Sequence, residues 1–480
     1  MAGIISYGTC IPSYRIDRIN IYKSMGWLNP ASMLSGEKSI ANYDEDSITI
    51  AVNAGADCLT GFKRESVKGL YFATTTPPFL DRQNSGILST ALDLSSNIIT
   101  EDFTNSTKSG TGALISAYNS VKSESSNNIL VCSSDCKLGK PGSYLEEMYG
   151  DGAASLLIGN NNEIAEIKGT FSVSYDFIDH WRTEKDKYNR GWEDRWIREE
   201  GYSKFIIDSI SGLLKKYDLK PEDFSKVCYP CIYERVHTLI GKKMGFELGQ
   251  IQNHLFDNIG NTGTSYPLLI LISALEDAKP GDRILLASYG YGSDAIFFEV
   301  TDKIENVKGR RRGIRKMLES KRMIDSYEKY AVFKDLFDID TGGRGEDIAF
   351  TSLSALWRDR KSVLGLVGSR CTQCGTPQFP SQKVCVNPKC GAVDKMEEYR
   401  FSDEKGRIFT YTGDNLASCL NPPAIYGMVD FDGGGRFIFD FTDCDLEELK
   451  VGMPVEMSFR RKYVDEKRGF YGYAWKAVPV

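Results

Sequence analysis

The sequence predicts a duplicated α/β sandwich followed by two small β-rich modules, and three observations support that expectation. Short β-rich runs alternate with helical patterns from Met1 to about Val300, as in sheets buried on both faces. Within that span one order of turn, helix, strand and glycine hairpin occurs twice. Beyond Cys390, five strand-like runs separated by turn residues fall within about eighty residues.

Composition bounds what such a chain does. A length of 480 residues is too great for one compact core and predicts roughly three units. Hydrophobic residues make up 41%, charged residues 26% and aromatics 11%, which excludes intrinsic disorder and fibrous structure. The amino terminus, MAGIISYGTCIP, lacks a basic flank followed by an apolar core, and no apolar run is long enough to cross a bilayer. Neither export nor membrane insertion is expected. A net charge of -6 provides no global field for a polyanion, so nucleic acid is not an expected partner. Of the 12 cysteines, eight are scattered through core-like runs and four cluster, the pattern of a reduced cytoplasmic protein with one metal site.

The elements follow in order. In the first copy, after the strand VKGLYFATT, the turn Asn105, Ser106, Thr107 opens the small-residue helix SGTGALISAYNSV, then come ILVCSSD and the hairpin YGDGAASLLIG. In the second, after FSKVCYPCIY, the turn Gly260, Asn261, Thr262 opens SYPLLILISALEDA, then come ILLAS and the hairpin YGYGSDAIFFEV. Between Asp302 and roughly Arg360 the pattern becomes charged and helical, with Arg310, Arg311 and Arg312 forming a solvated face or a site for an acidic ligand. The last five runs, GRIFTYT, AIYGMVDF, GRFIFDF, PVEMSFRRKY and GFYGYAWKAV, predict a small barrel of OB type.

Cys371, Cys374, Cys385 and Cys390 form CxxC, ten intervening residues and CxxxxC, with Gly375 and Gly391 after the pairs. Two such knuckles converge four thiolates on one tetrahedral ion, and Zn(II) suits them. Four protein thiolates leave no position for substrate, so the metal is expected to be structural. The predicted boundaries are 1–165 and 166–301 for the duplicated halves, 302–360 for a helical connector, 361–398 for the zinc ribbon and 399–480 for the barrel.

The ribbon, the five strands and the run NPPAIYGMVDFDGGGRFIFDF followed by DLEELKVGMPVEM resemble the zinc-ribbon and OB-fold family that accompanies acyl-CoA thiolases and aldolases, over about the last 120 residues. Residues 1 to about 300 resemble a hydroxymethylglutaryl-CoA synthase of the archaeal and bacterial type, within the thiolase superfamily. The matching motifs are DHWR with Asp179, Trp181 and Arg182, GKKMGF at Gly241 to Phe246, IGNTGTS at Ile259 to Ser265, YGDGAA around Gly150 and the hairpin SYGYGSDA. The resemblance implies a five-layer α/β/α/β/α sandwich that dimerises, an acyl-CoA substrate, and a cysteine nucleophile served by a histidine and a glutamate. Here Thr107 stands in the nucleophile's place, the histidine expected sixteen residues before Phe246 falls on Pro230, and the expected glutamate falls on Thr75. The asparagine of the later turn, Asn261, is kept.

Losing all three groups removes the machinery for an acyl-enzyme. What remains suits an enzyme making or breaking a carbon–carbon bond of an acyl-CoA by aldol or retro-aldol chemistry, which needs a base and donors for a thioester enolate. The resemblance makes Tyr229 the first candidate base, with Cys231, His180 and Tyr291 behind it. Asn261 is the expected orienting donor, and the Gly290 to Gly292 hairpin amides serve as oxyanion donors or only as turn geometry. Trp181, Arg182, Lys242 and Lys243 stand to meet CoA, or are exposed charges and rings. His237 and His254 read as structural or surface residues. Competing readings are a non-catalytic acyl-CoA-binding subunit supporting a thiolase partner chain, a decarboxylase, and an acyltransferase using another residue.

Overall fold

The computed structural model describes residues 2–30, 33–123, 127–309, 312–340 and 350–480; Arg310 and Arg311 lie outside them. The chain forms two compact units. The first comprises Met1–Ala41, Asp46–Gly86 and Ser95–Lys334, and the second Asn42–Glu45, Ile87–Leu94 and Asp335–Val480.

In the first unit the duplication is explicit. The first half contains β1 (Gly3–Cys10), α1 (Ser47–Cys58), β2 (Gly69–Ala73), β3 (Ile99–Phe103), α2 (Ser109–Lys122), β4 (Ile129–Cys136) and β5 (Asp151–Gly159). The second contains β6 (Ala165–Ser174), α3 (Lys204–Tyr217), β7 (Lys226–Cys228), α4 (Glu234–Lys243), α5 (Tyr266–Asp277), β8 (Arg283–Ala287) and β9 (Gly292–Val300). Their strands form one nine-stranded ladder in the order β7-β8-β9-β6-β1-β5-β4-β2-β3. Reading outward from the β6–β1 seam, each half repeats an antiparallel, antiparallel, then parallel neighbour. The seam itself pairs only Gly3 with Glu166 and Ile4 with Ala165.

The strands read as continuous apolar runs because both faces are covered; β4 is buried along ILVCSSD. Helix α5 is apolar on every side, with Leu268 to Ile272 all buried, as a helix enclosed by its own fold must be. Helix α2 uses small residues instead. A Cβ on Gly110 would lie 2.3 Å from the Thr264 carbonyl oxygen, so the two halves approach at backbone distance there.

Residues up to Lys334 fold with the first unit and not as a separate connector. The strand Arg322–Met323 pairs with Tyr14–Asp17, and Ile314, Met317, Tyr330 and Phe333 are buried, so this charged stretch has an apolar face.

One carboxylate binds the two halves where their loops meet. Asp135, fully buried near the end of β4, accepts hydrogen bonds from Thr74 Oγ1 at 3.1 Å, the Thr75 amide at 2.6 Å, Thr76 Oγ1 at 3.1 Å and the Thr264 amide at 2.8 Å. Gly263 completes the clamp: its φ is +64°, and a Cβ would lie 2.1 Å from Asp135 Oδ2.

In the second unit, β10 (Val367–Cys371), β11 (Pro377–Gln378) and β12 (Met396–Arg400) form a small sheet. Each of the five predicted barrel runs is a strand: β13 (Gly406–Asp414), β14 (Ala424–Phe431), β15 (Arg436–Asp440), β16 (Pro454–Asp465) and β17 (Phe470–Pro479), ordered β15-β14-β13-β16-β17. The four predicted metal ligands meet. Sγ separations are 3.9 Å for Cys371 and Cys390 and 3.5 Å for Cys374 and Cys385, and all four atoms lie within 4.8 Å of one another. Zn–S bonds of about 2.3 Å place tetrahedral sulfurs about 3.8 Å apart, so the donor set fits Zn(II) with no substrate position.

Two outcomes follow. Asp135→Ala leaves four donors, two of them fully buried, without their acceptor and is expected to cost about 3 kcal/mol or more in denaturant unfolding; an unchanged midpoint would contradict the clamp. Chelation is expected to release one zinc per chain, read by a metallochromic dye, with loss of amide-exchange protection over 367–400. Release of no metal would remove the zinc assignment.

Candidate functional site

A cleft of about 380 Å³ opens in the first unit where the carboxyl ends of β2, β3, β4, β7 and β8 converge with the amino ends of α2 and α5. Crevices at strand carboxyl ends are where α/β sheets place ligands, since loops diverge there and helix amino termini point inward. The cleft gathers the four positions at which the sequence departs from or keeps the expected chemistry: Thr75, Thr107, Pro230 and Asn261. No cysteine lines it among the described residues.

Thr107 lies two residues before the first residue of α2. Its hydroxyl donates to the Tyr289 carbonyl at 2.7 Å, so its proton is held by a backbone oxygen and no base. Ser106 anchors the same turn by donating to the Gly290 carbonyl at 2.9 Å. Asn261 is set differently. Its Oδ1 accepts the Gly263 amide at 3.0 Å, which fixes the side chain and leaves the Nδ2 donor without a partner among the described residues.

His180, Trp181, Arg182 and Tyr291 also line the cleft. His180 Nδ1 lies 3.6 Å from Asp179 Oδ2, and its carbonyl accepts the Tyr291 hydroxyl at 2.6 Å. Burial raises the Asp179 carboxyl, but the hydrogen bond and charge of His180 outweigh it and hold the group below the usual carboxylate value. Burial lifts the Tyr291 phenol above its ordinary value, with Asp179 and Asp176 adding to the effect, so the hydroxyl stays a donor. Arg182, at the exposed rim, donates to the Thr75 carbonyl at 3.1 Å.

Other expectations fail on geometry. Tyr229 is 1% exposed and is not in the cleft. Its hydroxyl donates to the His237 carbonyl at 2.8 Å and its ring stacks on the His237 ring at 4.1 Å. Successive residues leaving a strand point to opposite sides, so Pro230 faces the cleft and its neighbour does not. Cys231 is fully buried outside the lining, and burial pushes its thiol pKa up, against thiolate. Lys242 and Lys243 are exposed in the last turn of α4, away from the lining. Gly290 and Gly292, the expected oxyanion donors, lie outside the lining of this cleft. The Gly290 amide is spent on the Gly292 carbonyl at 3.0 Å, and neither residue lines the cavity. They are there for close approach: a Cβ on Gly290 would lie 2.3 Å from Thr107 Oγ1, and Gly292, at φ +130°, would meet the Val173 carbonyl at 2.1 Å.

Among the cleft residues that the sequence reading did not single out are Lys137, Tyr149 and Tyr289. Lys137 follows β4 directly and is 6% exposed. Its Nζ lies 3.4 Å from Thr75 Oγ1 and 5.2 Å from the centre of the Tyr149 ring. Tyr289 stands over the Thr107 turn, its carbonyl accepting the Thr107 hydroxyl and its own buried hydroxyl directed toward the Asp179 carboxylate. Lys137 occurs within CKLGK, which reads as an exposed charged loop, and only the burial of its stem marks it out.

Comparison with known proteins agrees with this architecture. Residues 399–460 match the family described as ChsH2, C-terminal OB-fold domain; residues 358–395 match ChsH2, rubredoxin-like zinc ribbon domain. Residues 214–296 match the 3-oxoacyl-[acyl-carrier-protein] synthase III C-terminal family. Among solved structures, an HMG-CoA synthase complexed with CoA shares the fold at a TM-score of 0.61 and 19% identity, covering 73% of this chain and 95% of that one. The 3-oxoacyl-[acyl-carrier-protein] synthase III of Aquifex aeolicus does so at 0.54 and 18%, covering 62% and 100%. The hydroxymethylglutaryl-CoA synthase of Methanopyrus kandleri is 33% identical over 69% of this chain and 97% of its own. That of Caldivirga maquilingensis is 33% identical over 71% of this chain and 99% of its own. With this identity over nearly the whole length of its relatives, the chain belongs to the hydroxymethylglutaryl-CoA synthase family, extended by a zinc ribbon and an OB-fold domain.

Proposed function

We propose that the cleft binds a CoA thioester and makes or breaks a carbon–carbon bond of aldol type without a covalent acyl-enzyme. The observation behind this reading is the lining: Thr75, Thr107 and Pro230 stand where the resemblance leads one to expect reactive groups, no thiol lines the cleft among the described residues, and Asn261 keeps a free donor. In the cleaving direction a base takes the β-hydroxyl proton, the Cα–Cβ bond breaks, and its electron pair passes to the thioester as an enolate. Asn261 Nδ2 donates to the enolate oxygen, which carries more charge than the ground-state carbonyl, so the interaction lowers the barrier and not only the energy of the bound state. Protonation at Cα releases an acyl-CoA and a carbonyl compound. Arg182 and Trp181 at the rim suit the polar and flat parts of CoA.

The reading includes a homodimer through the first unit, whose edge strand β3 is paired on one side only and exposes Ile99. A separate thiolase-type partner chain and a cytoplasmic setting belong to the same proposal; none of the described helices is long and apolar enough to cross a membrane. A threonine at 75 and a proline at 230, where the resemblance leads one to expect a carboxylate and a histidine, also favour a second reading, a non-catalytic subunit that holds acyl-CoA for such a partner.

Incubating the pure full chain with short β-hydroxyacyl-CoA thioesters and following products by chromatography tests both. The expected result is turnover, lowered on the order of 10²- to 10³-fold by Asn261→Ala, with Tyr229→Phe leaving the rate within a few-fold. Binding without turnover would favour the second reading, and turnover indifferent to Asn261→Ala would remove Asn261 from the site.

A further inference from the structure

A buried amine faces the cleft where the expected proton-transfer carboxylate is missing. Lys137 presents its Nζ to the cavity, and its polar contacts are the single long hydrogen bond to Thr75 Oγ1 at 3.4 Å and the face of Tyr149. No carboxylate pairs with it among the described residues, although it is only 6% exposed. An unpaired buried ammonium is costly, whereas a neutral amine is tolerated. The charged groups acting on it are Asp135 from the strand just before it and Asp179 and Arg182 from the facing loop, with His180 on the same wall. Burial dominates and draws its pKa below the usual lysine value; the two carboxylates oppose the shift and Arg182 adds to it.

Position gives this amine its meaning. Thr75, where the resemblance leads one to expect a glutamate, lines the cleft. Lys137 Nζ reaches the Thr75 hydroxyl from the end of β4, so a base is delivered to the same part of the cleft from a different strand.

We infer that Lys137 is the proton-transfer residue of this cleft, its neutral amine taking the α-proton of a bound CoA thioester and its ammonium returning it. The inference deepens the function proposed above and rests on it. In the step, the Cα–H bond breaks and an N–H bond forms; the C–H electron pair moves into the thioester enolate, whose oxygen faces Asn261 Nδ2. Return of the proton reverses each change, and nothing is oxidised or reduced.

The test uses the full chain, acetyl-CoA as probe, and deuterium oxide. Loss of the acetyl methyl proton signal measures α-proton exchange, and calorimetric titration measures binding separately. Lys137→Met, which keeps the side chain's length, and Lys137→Arg, which keeps its charge, are each expected to slow exchange about 100-fold or more while acetyl-CoA still binds. Ethylamine is expected to restore part of the rate to Lys137→Ala, and thermal melting of each variant checks that the fold is kept. The wild-type rate is expected to rise with pH and level off below the ordinary lysine pKa. Exchange at the wild-type rate by Lys137→Arg would overturn the inference, because charge alone would then suffice, and would leave the proposed function standing. Binding without exchange by the wild-type chain would overturn it equally. Failure to bind acetyl-CoA at all would instead sink the proposed function, and the inference with it.

Discussion

The Asp135 carboxylate is the contact on which the cleft depends. It receives two backbone amides and two hydroxyls, three of them from the loop after β2 and one from the turn before α5. Those two segments come from different halves of the duplication, and the close approach at Gly110 and Gly263 brings them within reach of one side chain. A buried anion with four donors is satisfied only when both loops are in place, so the interaction fixes Thr75 and Asn261 relative to each other. Duplication supplies the scaffold; this clamp turns two loop ends into one site.

Around the clamp, the side chains at the loop ends set the character of the lining. The side chains of Thr107, Pro230 and Thr75, which line the cleft, have no sulfur, imidazole or carboxylate. Thr107 is held by a carbonyl as a structural hydroxyl, and Pro230 contributes a flat apolar wall. The polar groups of the lining include Asn261, the Asp179 and His180 pair, and the amine of Lys137, each on a different loop of the same rim. Because strand ends fix the loops, a change of side chain there alters reactivity while leaving the fold within reach of its relatives.

Much of this was legible in the sequence, for local reasons. The cysteine knuckles and the five barrel strands depend on short-range spacing and alternation, and all appear where the pattern placed them. The repeated turn, helix, strand and hairpin gave the pseudo-symmetric ladder. His180, Arg182, Asn261, Thr107 and Tyr291 stand in or beside motifs, and the fold brings all five to one cleft. Tyr229 was not, since one step along a strand end reverses the direction of the side chain, and neighbouring Pro230 took the inward place. The Gly290 amide was misread because its hydrogen bond to Gly292 depends on hairpin closure, which composition does not specify. Lys137 was invisible because a lysine in CKLGK resembles any exposed loop charge until the fold encloses its stem.

The central claim is that this cleft handles an acyl thioester without forming a bond to it. Intact-protein mass spectrometry of the full chain after incubation with acetyl-CoA tests that most directly. The account predicts an unmodified mass at every time of sampling, with CoA thioester recovered or converted in solution. A stable added acetyl group, mapped by peptide sequencing to Thr107 or to any cysteine, would contradict it.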